Sequence, residues 1–166
     1  MRHQKKIIAT ALSLLAVGAS PAVVHAEDDN VFDGKSYPGA MCDSAVSSVA
    51  SVRTGSFYAN SSGAAALVNC PVIQDSWVST TGLSFGEMFF SNPAGQTFTC
   101  TQSSYDANGV FLSSRSFSST TSGVQAQLFF SGGSYLPTTA NFGYIMIQCT
   151  VPAGGQIRGY QVQEKA

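Results

Sequence analysis

Four cysteines, with no C-x-x-C pair among them, set the first constraint on this chain. Cys42, Cys70, Cys100 and Cys149 are even in number and widely spaced, the pattern of a disulfide framework rather than of a metal site or a dithiol redox centre. Disulfides need an oxidising compartment, and the amino-terminal segment reads as the address to one. Arg2, Lys5 and Lys6 precede an apolar stretch from Ile7 to Ala19, and Val24-His25-Ala26 has the small-x-small form of a cleavage site. The chain therefore reads as a signal peptide over residues 1–26, an acidic tail over 27–39 and one domain over 40–166, secreted or periplasmic. Three pairings of four cysteines are possible. Cys42–Cys70 with Cys100–Cys149 is favoured, because each bond then ties a segment to a later strand within its own half of the chain. On the loop-entropy model each contributes roughly 3 to 4 kcal/mol.

Removing the leader also changes the charge. Arg2, Lys5 and Lys6 depart, leaving five basic residues against nine acidic ones and a net charge near −4. No cluster of Lys and Arg remains to displace counterions from a phosphate backbone, so nucleic acid is excluded as a partner. His3 and His25 are the only histidines, and both lie in the leader. The domain has none, which removes Ser-His-Asp and Cys-His catalysis, His-containing zinc sites and the usual pH switch. After the leader no apolar run approaches the roughly 18 residues a membrane helix needs, so membrane insertion is not expected.

Alternation of apolar and polar residues identifies the strands. Ala64, Ala66, Val68, Cys70 and Val72 share one face, and Pro71 places that strand at a sheet edge or at the end of regular pairing. Leu83, Phe85 and Phe89 begin another strand. Phe98 and Cys100 alternate against Thr97, Thr99 and Thr101, and Val124, Ala126, Leu128 and Phe130 against Gln125 and Gln127. Ile145, Ile147, Cys149 and Val151 alternate against Tyr144, Met146, Gln148 and Thr150. A first strand is expected at Ala40–Cys42, a last one through Ile157, Tyr160 and Val162, and a Ser/Thr-rich link from Ser113 to Ser122. Residues 43–52 fit helix and strand equally. Asn108-Gly109 is a strong hairpin signal. With 24 Ser, 12 Thr, 16 Gly and only 10% charged residues, solubility rests on hydroxyls and backbone. The expected fold is all-β, a single-domain antiparallel β-sandwich with two disulfides.

Candidate chemistry is sparse. Asp28, Asp29, Asn30 and Asp33 offer oxygen atoms, but Ala40 stands where a calcium loop begun at Asp29 needs its bidentate Glu; no metal or cofactor is expected. Two of Asp43, Asp75, Glu87 and Asp106 could form the carboxylate pair of a glycoside hydrolase if the fold brought them together. Lys35 and Lys165 are the remaining bases for a Ser-Lys arrangement, and Asn60-Ser61-Ser62 matches a glycosylation acceptor. Aromatic residues are the stronger lead: Trp77, Tyr105 and Tyr135 are singled out as ligand contacts, with Tyr58, Tyr144 and Tyr160 as further rings able to stack on a sugar or meet a protein.

The cysteine surroundings carry a resemblance. Tyr37-Pro38-Gly39-Ala40-Met41-Cys42, Asn69-Cys70-Pro71-Val72, Cys149-Thr150-Val151-Pro152 and Tyr160-Gln161-Val162-Gln163-Glu164 resemble a group of small, exported, uncharacterised bacterial proteins with Y-P-G-x-M-C, C-P-V and C-x-x-P motifs. The resemblance implies a disulfide-linked bacterial domain and assigns no activity. The expected function is a non-enzymatic module with a binding or structural role at or outside the cell surface and a protein or glycan ligand. A carbohydrate-binding domain is the second reading, and a hydrolase using paired carboxylates the third.

Overall fold

Strand alternation dominates the local structure, as the computed structural model shows for residues 32–46, 50–73, 82–130, 136 and 143–165. In chain order the elements are β1 (Phe32–Pro38), a 3-10 turn (Gly39–Met41), β2 (Asp43–Ser44), β3 (Ser51–Thr54), β4 (Phe57–Asn60), β5 (Ala66–Val72) and β6 (Leu83–Asn92). They continue with β7 (Phe98–Tyr105), β8 (Phe111–Ser119), β9 (Gly123–Phe130), β10 (Tyr144–Val151) and β11 (Gln156–Lys165). Two antiparallel sheets result. The first runs β3-β4-β11-β6-β9, with β1 also on β11, and the second runs β2-β5-β10-β7-β8. Because β6 follows β11 along one edge, β4 and β1 share the other, β4 at Gln156–Ile157 and β1 from Gly159 onward.

The space between the sheets is filled as the alternation requires. Ala66, Val68 and Cys70 of β5, Phe98 and Cys100 of β7, and Ile147, Cys149 and Val151 of β10 are buried, facing Met88 and Phe90 of β6 and Ile157, Tyr160 and Val162 of β11. Both disulfides lie in this layer, paired Cys42–Cys70 and Cys100–Cys149. Cys100 and Cys149 are direct register partners on β7 and β10. Cys42 precedes Asp43, the partner of Asn69, so the same register brings it opposite Cys70.

The first disulfide sits in a corner that joins the two sheets. β2 covers β5 only at Val68 and Asn69, and the end of β5 beyond it is met by tyrosines of the first sheet. Tyr160 Oη donates to the Pro71 carbonyl, and Tyr37 Oη to the Ile73 carbonyl at 2.7 Å. The two rings stack with centroids 4.9 Å apart, and burial holds the Tyr160 phenol well above its usual pKa, with the neighbouring Tyr37 adding to the effect. Lys35 Nζ lies 2.9 Å from Glu164 Oε1 on the same face, both side chains largely buried. Thus Tyr37, Cys42, Cys70, Pro71, Tyr160 and Glu164, scattered through three of the sequence motifs, meet in one place.

Two buried amides close the opposite turns. Asn60 Nδ2 donates to the carbonyls of Ala64, Val151 and Pro152, while its Oδ1 accepts from Ser62. Asn92 Nδ2 donates to the carbonyls of Gln96, Ser119 and Thr121. Each asparagine stands where the chain leaves the first sheet for the second and satisfies carbonyls that no ladder reaches. The Asn60 amide, flagged as a glycan acceptor by its sequence, is buried structure.

Several expectations are corrected. Residues 32–38, placed in the acidic tail, form β1 on β11, and Ala40–Cys42, expected as the first strand, fall in the 3-10 turn Gly39–Met41 and its cap Cys42. Within 43–52 the chain takes two short strand pieces. Much of the Ser/Thr-rich link is strand β8, whose alternate serines meet threonines of β7: Thr101 with Ser116 and Thr99 with Ser118, each at 3.2 Å. β9 is inverted relative to its apparent pattern over Val124–Leu128, whereas Phe130 is buried as expected. Ala126 pairs with outward-facing Phe89, and a register shift between the Leu128 and Phe130 pairs changes the sense of the strand. Phe129, at that shift, packs against Phe117 at 5.0 Å, so both phenylalanines are buried while Val124 and Leu128 point to solvent.

The 3-10 turn depends on Gly39, because a Cβ there would stand 1.9 Å from the Ile157 carbonyl oxygen, a backbone atom that cannot rotate away. Gly34 has nothing within 4 Å of the same position. Gly39→Ala is expected to destabilise the domain by about 3 kcal/mol or more, and Gly34→Ala by less than about 0.5 kcal/mol, as read from urea unfolding midpoints of the two variants.

Candidate ligand-contact surface

Strand register lines up three aromatic side chains on the outer face of the second sheet. Tyr144 of β10 pairs with Tyr105 of β7, which pairs with Phe111 of β8. Tyr105 and Tyr144 alternate out of phase with the buried residues of their strands, and Phe111, which has the parity of buried Phe117, joins them through the register shift that leaves Leu112 unpaired between Phe111 and Ser113. The Tyr105 and Tyr144 rings stack with centroids 5.0 Å apart and planes 15° apart, and Phe111 meets Tyr105 edge-on at 6.0 Å and 72°. Tyr105 is half-buried between its neighbours, whereas Tyr144 and Phe111 are 45% and 55% exposed. Ile73 and Val110, also exposed, extend the apolar surface at either end.

The β7–β8 turn holds the row's border. Asp106 Oδ1 accepts from the backbone amides of Asn108 at 2.9 Å and Val110 at 2.8 Å, an Asx-type arrangement. The left-handed residue is Gly109, at φ 80°, so the hairpin predicted from Asn108-Gly109 forms with a five-residue connection rather than the two-residue turn. A Cβ built on Gly109 would lie 3.6 Å from the Tyr144 hydroxyl, which places the turn directly against the row.

Beyond the rings the face is neutral. Gln148 Nε2 donates to Asn69 Oδ1 at 3.1 Å, and the Ser and Thr pairs of β7 and β8 follow. Asp43 marks the far border, where Arg53 hydrogen-bonds its carboxylate and holds its pKa below the usual range. Such a surface offers ring faces at the row's ends, phenol hydroxyls, amides and hydroxyls.

The residues named from sequence fare unequally. Tyr105 lies at the centre of the row, while Trp77 and Tyr135 fall outside the described residues, as does Asp75. Tyr58 and Tyr160 are core. Phe111 went unrecognised as a surface residue; its signal was its place directly after the Asn-Gly turn, where the register of β8 begins. The described carboxylates lie apart. Asp43 is at the edge of the second sheet, Glu87 accepts from Gln161 on the outer face of the first, and Asp106 is engaged by its own turn. A shallow groove of about 280 Å³ on the first sheet is lined by Gly34, Ser36, Phe85 and Gln163 among others, and Lys35 beside it is directed to Glu164. No protein-family model matches the chain and no curated protein matches its sequence.

If the row is available for a ligand, trimming its exposed ring removes little stability. Tyr144→Ala is expected to cost about 1 kcal/mol, against about 3 to 5 kcal/mol for Phe90→Ala in the core. Chemical denaturation checks this; equal losses would make the row a structural element.

Proposed function

We propose that this protein is an exported, non-enzymatic binding module that engages its ligand through Tyr105, Tyr144 and Phe111. The observation that carries the reading is the in-register exposure of three rings on adjacent strands, on an outer face that is otherwise uncharged and mixes hydroxyls and amides with Leu67, Pro71 and Met146. The paired cysteines fit an oxidising compartment, and the leader read over residues 1–26 supplies a route to it.

A neutral glycan suits this surface best. Pro71, Met146, Ser103 and Ser114 form the outward row next to the rings, and Asn69, Gln148, Thr101 and Ser116 the row after it, with no charged side chain in either, so a polyhydroxylated ligand that spans them meets hydrogen-bonding partners without desolvating an ion. A protein ligand is the second reading, favoured by Val110 and Phe111, more than half exposed at the tip of the hairpin.

A glycan array probed with the mature protein tests the first reading. Binding that falls at least about tenfold in both Tyr144→Ala and Phe111→Ala, equivalent to about 1.4 kcal/mol for each, is the expected result. Binding indifferent to both variants places the ligand elsewhere, and an array with no bound glycan removes the carbohydrate reading in favour of the protein one.

A further inference from the structure

Among the described residues, the strands at the edges of the two sheets are unequal. β2 has two residues and β3 four, β1 carries Lys35 and ends in Pro38, and β8 turns Arg115 inward beside Gln102. Short length, proline and inward charge are the devices that keep a strand edge from pairing with another chain. β9 has none of these three, and its one irregularity, the register shift at Phe129, lies at its far end and leaves Gly123–Leu128 regular. It ends the first sheet, and its eight residues, Gly123–Phe130, include no charge and no proline. Its outward side chains are apolar: Val124 is 64% exposed and Leu128 39%, and they flank Ala126, the partner of Phe89 on β6, with Ser91 opposite Val124 and Glu87, engaged by Gln161, opposite Leu128.

We propose that β9 pairs with β9 of a second copy of this chain, antiparallel across a two-fold axis at Ala126, joining the two first sheets into one. The strand's own sequence selects this occupant. With Ala126 opposite Ala126 of the partner subunit, Val124 meets Leu128 of the partner subunit and Gln125 meets Gln127 of the partner subunit. The smallest outward side chain falls on the axis and larger apolar ones flank it, and the inward amides face each other. Since β9 bears no charge, the two-fold sets no like charges opposite one another. The pairing gives the edge N–H and C=O groups ladder partners and covers Val124 and Leu128 together. An even register also keeps both outer faces of the first sheets on one side, so the two aromatic rows look out together from the other. The pairing itself is independent of what those rows bind.

The test is the mass of the mature protein in solution, by sedimentation equilibrium at micromolar concentration. Twice the protomer mass is expected for the wild-type protein, and the protomer mass for Ala126→Arg, which sets two cations against each other on the axis. Ala126→Cys provides a second reading that does not depend on disrupting the strand: a short bis-maleimide should join two chains through it, and should not join them through Ala64→Cys on the exposed loop before β5. A monomeric wild-type protein, a dimer that survives Ala126→Arg, or equal crosslinking at both cysteines overturns the pairing.

Discussion

The end of β5 is held by groups from the opposite sheet, and the sandwich depends on that attachment. Cys42 fixes the 3-10 turn to Cys70, Tyr160 and Tyr37 take the Pro71 and Ile73 carbonyls, and Gly39 lets the turn lie against the Ile157 backbone. The contacts act on one another. The disulfide ties the turn that ends β1 to β5, the β11 ladder sets β1 so that Tyr37 stacks on Tyr160, and the stacked pair reaches the carbonyls that β2 leaves uncovered. In a domain with so few charges, these directional bonds supply the registration that apolar packing alone does not give.

The second disulfide acts on the candidate site. Cys100 and Cys149 join β7 to β10 on the inner face, and Tyr105 and Tyr144 are partners on the outer face of the same two strands. A covalent bond thus restrains the pair of strands that presents the rings, and the Asp106 turn restrains their border. Rings held on rigid strands lose little conformational freedom when a ligand arrives, which favours binding.

Much of this was legible because β5, β7 and β10 are buried on one face and wet on the other, so that period-two patterns and cysteine positions speak for the same surface. Where that condition fails, so does the reading. β1 was taken for tail because its Gly, Lys, Ser and Pro carry little apolar signal, and its place comes from the β11 ladder and from Tyr37. β8 looks like linker because its Ser-rich stretch carries almost no apolar alternation, and its place comes from the backbone ladder to β7, with the Thr–Ser side-chain pairs on its outer face. β9 shows clear alternation whose sense changes within the strand: the register shift at Phe129 lets Phe129 and Phe130 both be buried and turns Val124, Ala126 and Leu128 outward, and no period-two pattern announces a bulge. Tyr105 was found by residue type, whereas its companions emerge from the register that aligns three strands.

Hydrogen exchange on the Cys42→Ala/Cys70→Ala variant tests the attachment of β5 most directly. Amides of Phe32–Tyr37 in β1 should lose nearly all their protection, while those of β7 and β10, still joined by their ladder and by Cys100–Cys149, remain protected. Protection in β1 that persists at the level of β7 and β10, or that falls by the same factor throughout the domain, would contradict the account.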